Sequence, residues 1–175
     1  MKEVKVKIYK FNELSKEVKE ELIEKETQYQ LEFYMDNFLY ENLKEEANTK
    51  LKTLFKNVEI NSLLYDFSCS QGSGLLIEFE AEWINGVHFA VKQNPNNWHY
   101  TFCRNFIVDY EDEVKREDEI DIKQIIESVN EEVYNYGYSQ VYDEEQFKEL
   151  AKERLEEDEE ESYLVNGEIF KEGRF

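Results

Sequence analysis

Proline occurs once in this chain, at Pro95, and glycine six times. That leaves little material for a long flexible linker, so the 175 residues are expected to form a single acidic domain, 1–175, around one core. Cysteine occurs twice, at Cys69 and Cys103. Two thiols do not make a disulfide framework. The stretch from Lys2 to Lys10 alternates charged and apolar residues and lacks the apolar region of a signal peptide. No run approaches the roughly 20 apolar residues of a membrane span. These absences lead to the expectation of a cytoplasmic protein with reduced thiols and no membrane partner.

Basic residues are also scarce. Lys and Arg total 21 against 41 Asp and Glu, a formal net charge of −20. Direct binding of nucleic acid is not expected, because phosphates are held by Lys and Arg. Self-repulsion at this charge costs stability, so something else maintains it. A protein whose basic groove normally holds nucleic acid suits such a surface; solubility alone is the plainer account. The acids are concentrated: residues 107–161 hold 22 of them and six of the bases.

The chain does have material for a core, with 12 Phe, 12 Tyr and 2 Trp. Val4, Val6 and Ile8 alternate with Lys5, Lys7 and Tyr9 and predict a half-buried strand. Ser15 is placed to cap a helix. Helical spacing then runs from Leu14, Val18 and Leu22 to Leu51 and Leu54, and the polar Thr27–Gln30 patch predicts a break into two helices. From Asn61 the period shortens. Leu63–Cys69, Leu75–Trp83, Val87–Lys92 and Trp98–Tyr110 predict strands separated by turn residues, with Asn85-Gly86 a hairpin signal. Ile122, Ile125, Ile126, Val129 and Val133 predict a further helix ended by Gly137. Asp143 with Gln146 predicts a capping box for the last helix, and Asn166-Gly167 a second hairpin. The expected fold is α+β: an antiparallel sheet of about four to five strands, N-terminal helices and two acidic C-terminal helices.

Several of these segments together resemble a family. Phe11-Asn12-Glu13-Leu14-Ser15 opens a helix, and Ser70-Gln71-Gly72-Ser73-Gly74 lies in the sheet region. His99 sits in an aromatic strand, Tyr138-Ser139-Gln140-Val141-Tyr142-Asp143-Glu144 leads into a helix, and Asn166-Gly167-Glu168-Ile169-Phe170 closes the chain. This order is similar to small bacteriophage and prophage proteins labelled antitoxins of a toxin–antitoxin stability system. The family's turn reads Ser-Gln-Gly-Asp-Gly, and here Ser73 stands in place of the Asp. The resemblance implies a phage accessory role in an infected bacterial cell, and no assigned catalytic residue carries over.

Chemistry-bearing motifs are weak. Gln71-Gly72-Ser73-Gly74 has neither Walker nor dinucleotide spacing, so a tight turn is the expectation. Cys69, His88, His99 and Cys103 match no zinc spacing, and a Cys–His nucleophilic pair requires a proximity that sequence does not reveal. No metal, cofactor or catalytic activity is expected. The partner-binding candidates are acids: Glu111, Asp112, Glu113, Glu117, Asp118, Glu119, Glu131, Glu132, Asp143, Glu144 and Glu145, then the run Glu156, Glu157, Asp158, Glu159, Glu160 and Glu161. As a helix, that run would match the charge density of duplex DNA, about one charge per 1.7 Å. Tyr134, Tyr136, Tyr138 and Tyr142 form either a sheet-covering patch or an anchoring face. The expected function is stoichiometric inhibition of a host defence nuclease, for example a CRISPR effector, by an acidic mimic. An antitoxin-like module neutralising a partner toxin is the alternative.

Overall fold

A computed structural model describes residues 6–68, 73–95, 105–158 and 160–170. It is an α+β structure in the order α1 (Lys16–Asn37), α2 (Leu39–Leu54), β1 (Lys56–Asp66), β2 (Gly74–Glu82), β3 (His88–Gln93), β4 (Phe106–Tyr110), α3 (Arg116–Val141) and α4 (Glu144–Glu157). Two compact units divide the chain. One combines the N-terminal segment through Tyr34 with the C-terminal segment from Asp143; the other is Met35–Tyr142.

The Met35–Tyr142 unit holds a four-stranded antiparallel meander, β1-β2-β3-β4. Period-two alternation puts Leu75, Ile77, Phe79 and Ala81 on one face, with Phe89 and Val91 beside them in register, and all are buried. Leu39, Leu43, Ala47 and Leu51 form a fully buried stripe along α2, which lies against β1. Ile122, Ile126, Val129 and Val133 do the same for α3 against β2. Each buried Leu or Ile contributes about 1.5–3 kcal/mol relative to exposure, so these stripes hold both helices to the sheet. Phe55 closes one end, its ring 5.2–5.9 Å from those of Phe89, Trp83 and Phe79. The expected Asn85-Gly86 hairpin is present: Gly86 has φ +87, and the Trp83 amide donates to the Val87 carbonyl at 2.8 Å.

Asn130 is the one polar residue fully buried among the described residues. Its Oδ1 accepts from the Ile77 amide at 3.1 Å. β2 pairs with β3 only through Phe79–Glu82, so a helix side chain takes over where that ladder stops.

Gly137 does not end α3, contrary to expectation. The helix runs on to Val141, and Gly137 is buried where a Cβ would lie 2.4 Å from Phe67 Cζ and 2.7 Å from Leu43 Cδ2. It is a close-approach glycine, not a C-cap. The predicted break at Thr27–Gln30 is likewise absent. Thr27 Oγ1 donates to the Ile23 carbonyl, Gln28 Nε2 to Glu32 and Gln30 Nε2 to Glu26, all one turn apart, so these polar residues support α1. The helices separate at Phe38 (φ −125, ψ −31).

In the unit that ends at Tyr34 and resumes at Asp143, Ser15 Oγ accepts from the Val18 amide at 3.4 Å at the start of α1. Phe11, Leu14, Leu155 and Tyr163 form a buried cluster, with Tyr9, Val18, Leu22 and Ile23 packed on it. No strand forms over Val6 and Ile8, which are exposed; Tyr9 alone bridges Tyr163, and Val4 lies outside the described residues. Two rows of lysines and exposed valines find no flanking strand to pair with, whereas Tyr9 exchanges both backbone bonds with Tyr163. Tyr163 also bridges Ile169 across the Asn166-Gly167 turn, Gly167 at φ +84. Asp143 caps α4 by accepting from the Gln146 amide at 3.1 Å, the first half of the expected capping box.

Candidate partner-binding surfaces

On α4, Phe147, Ala151 and Leu155 face inward. Glu145, Glu149, Glu153 and Glu157 recur every fourth residue, so they form one row along the helix, and all four are exposed. None of the four joins an ion pair or side-chain hydrogen bond among the described residues. Like charges at this spacing destabilise a helix by about 0.2–0.5 kcal/mol per pair.

The dense run Glu156–Glu161 is not the continuous helix the sequence suggests. α4 stops at Glu157. Asp158 Oδ1 accepts from the amides of Glu160 and Glu161, both at 3.0 Å, turning the chain. Glu156 lies 3.9 Å from Lys152, Glu161 accepts the Tyr163 hydroxyl at 2.7 Å, and Glu160 is exposed. Glu159 lies outside the described residues. Six adjacent like charges gain nothing from helical geometry, and Asp158 satisfies backbone amides instead.

In the Met35–Tyr142 unit, Glu111, Asp112 and Glu113 are exposed between β4 and α3, and Glu117 and Glu131 are exposed on α3. The other predicted acids there are engaged. Asp118 accepts from Trp83 Nε1 at 3.2 Å and Asn85 Nδ2 at 3.3 Å. Lys123 at 2.7 Å holds the Glu119 carboxyl below the usual range, chiefly by its hydrogen bond. Lys50 at 2.8 Å does the same to Glu132. In the other unit Asp143 is the α4 cap, and Glu144 and Glu145 are exposed in its first turn.

Three of the four predicted tyrosines share a stripe. Tyr134 stacks on Phe67 at 5.4 Å, Tyr138 follows at 6.0 Å, and Tyr142 stacks on Tyr138 at 4.3 Å. The Tyr142 hydroxyl donates to the Phe67 carbonyl at 2.8 Å. Tyr138 and Tyr142 keep an exposed edge, while Tyr136, half-buried, lies off the stripe. This ladder sheathes Phe67 as well as facing solvent.

Two features escaped the sequence reading. Glu78, Glu80 and Glu82 alternate along β2 and share its other face, with Glu59 directly opposite Glu80. Ser62 Oγ and the Gln93 amide bind Glu78, and Asn57 binds Glu82. A shallow hollow of about 360 Å³ lies here, with His88, Lys92 and Asp109 on its walls. The alternation Glu78-Phe79-Glu80-Ala81-Glu82 was a usable signal for it. The second feature is a groove of about 440 Å³ among α1, the end of α4 and the Asn166-Gly167 hairpin. No sequence signal marks it, since its walls come from segments about 130 residues apart.

Cys69, His99 and Cys103 lie outside the described residues, as do positions 70–72 of the Ser-Gln-Gly turn and Trp98. His88 is exposed. Among the described residues no three His, Cys, Asp or Glu converge as metal ligands, and no helix is long and apolar enough to cross a membrane. No protein-family model, curated protein or solved structure matches the chain.

Proposed function

We propose that this chain is a stoichiometric inhibitor that binds a nucleic-acid-handling protein, occupying its basic groove with carboxylates in place of phosphates. A phage-encoded inhibitor of a host defence nuclease, such as a CRISPR effector, is the setting that fits the resemblance in the sequence. The unpaired row Glu145–Glu149–Glu153–Glu157 carries this reading. Four residues of helix rise about 6 Å. Two nucleotides of one DNA strand rise about 7 Å. The row therefore offers one carboxylate for about every second phosphate, over a helix that its own repulsion destabilises. Opposite charge steers such an encounter, so association slows as salt rises.

The test uses the host's RNA-guided nucleases and a labelled DNA duplex. Equimolar chain is expected to displace the duplex at low salt and to lose potency at high salt. A variant with Glu145, Glu149, Glu153 and Glu157 all changed to Gln should lose at least about tenfold in potency with its circular dichroism and melting unchanged. Undiminished potency of that variant removes the mimic reading. Rescue of cells from a neighbouring toxin gene, insensitive to the four substitutions, moves the assignment to an antitoxin-like module.

A further inference from the structure

The groove beside α1 identifies where a partner is anchored; this inference rests on the protein-binding reading above. Leu22, Tyr29, Leu155, Tyr163 and Ile169 give it an apolar lining. Two of these remain largely solvent-facing, Tyr29 at 52% and Ile169 at 48%. The Tyr29 ring stacks 6.4 Å from Phe33 on one side and takes the Arg154 guanidinium 5.5 Å from its centre on the other. Arg154 is itself fixed by an ion pair with Glu26. A wall braced in this way has little rotamer freedom left to lose on binding, which is what distinguishes an anchoring site from a loose apolar patch.

The surroundings state the partner's chemistry. Asp158, Glu161 and Glu168 rim the groove, and the Glu153 and Glu157 row runs along α4 next to Arg154 in sequence. Against these stand Lys25 and Arg154, the latter already neutralised by Glu26. Open walls suit a segment laid across them more than an enclosed small molecule. A second copy of the chain would bring the same acidic rim against itself, which like-charge repulsion disfavours.

We propose that this groove receives a Lys/Arg-rich amphipathic helix of the partner protein. Its apolar side chains enter between Tyr29 and Ile169, and its bases meet the carboxylates of the rim and of α4.

The probe is a synthetic Leu/Lys peptide of about five turns with Leu at i, i+3, i+4 and i+7 spacing. A scrambled peptide of the same composition is the control, and both are titrated against the full chain. The patterned peptide is expected to bind at least about tenfold tighter than the scrambled one. Ile169→Glu and Tyr29→Glu are each expected to weaken it by about tenfold, although each adds a negative charge; attraction by charge alone predicts tighter binding. Melting curves check that these exposed sites tolerate the change, and Ile169→Ala, expected to weaken binding severalfold, serves if they do not. Equal binding of both peptides, or affinity kept or raised by Ile169→Glu, overturns the groove. So does a dimer in sedimentation that excludes the peptide. Loss of peptide selectivity with duplex displacement intact removes the groove alone. Loss of duplex displacement with selective peptide binding intact removes the nucleic-acid mimic and leaves the groove standing.

Discussion

Gly137→Ala separates what the fold requires from what helix propensity alone suggests. In an exposed helix interior this substitution gains about 0.8–1 kcal/mol, since alanine is the better helix former. Here the new methyl would lie 2.4 Å from Phe67 Cζ and 2.7 Å from Leu43 Cδ2. Carbon atoms rest at about 3.5–4.0 Å, so each neighbour must retreat by about 1 Å. Neither has room: Leu43 is fully buried, and Phe67 is held between the rings of Tyr65 and Tyr134. Overpacking of this kind costs about 2–3 kcal/mol, for a net loss of about 1–2 kcal/mol. Urea unfolding followed by fluorescence and far-ultraviolet circular dichroism measures it. A cycle with Phe67→Leu should be non-additive, the double variant being more stable than the sum of the singles because the ring that clashes is gone. A stabilised Gly137→Ala, or an additive cycle, refutes the close approach.

Among the described residues the buried Tyr110 hydroxyl finds no hydrogen-bond partner. Tyr110→Phe should therefore raise stability by about 1 kcal/mol, read as a higher urea midpoint. Burial first, and Glu119 second, push this phenol up to about 12. The native state thus keeps a proton that the unfolded chain sheds near its ordinary value of about 10. That stability is fully present below pH 10 and is lost as pH rises toward 12, and Tyr110→Phe should flatten the fall in an alkaline melting series. Asn130→Ala strands the buried Ile77 amide and should cost about 2–4 kcal/mol by the same urea measurement. Changing Glu145, Glu149, Glu153 and Glu157 to Gln relieves repulsion and should raise the thermal midpoint slightly, by about 0.2–0.5 kcal/mol per removed pair, while weakening partner binding.

The strands from Leu63 to Tyr110 were legible because alternation and turn residues are local properties, and so were Asn85-Gly86, Asn166-Gly167 and the caps at Ser15 and Asp143. The N-terminal strand was misread because alternation says which face is apolar and not whether a neighbour exists to pair with it. Thr27–Gln30 suggested a break because polar residues at that spacing were weighed singly, when side-chain bonds one turn apart supported the helix. Net charge and its concentration in residues 107–161 belong to the sequence by itself. Which carboxylates remain unpaired does not: Asp118, Glu119, Glu132 and Glu161 are engaged by Trp83, Lys123, Lys50 and Tyr163, while the Glu145 row is free. The role of Gly137 and the groove at Tyr29 and Ile169 were also settled only by the fold, because contacts between residues far apart in the chain depend on packing that no local pattern encodes.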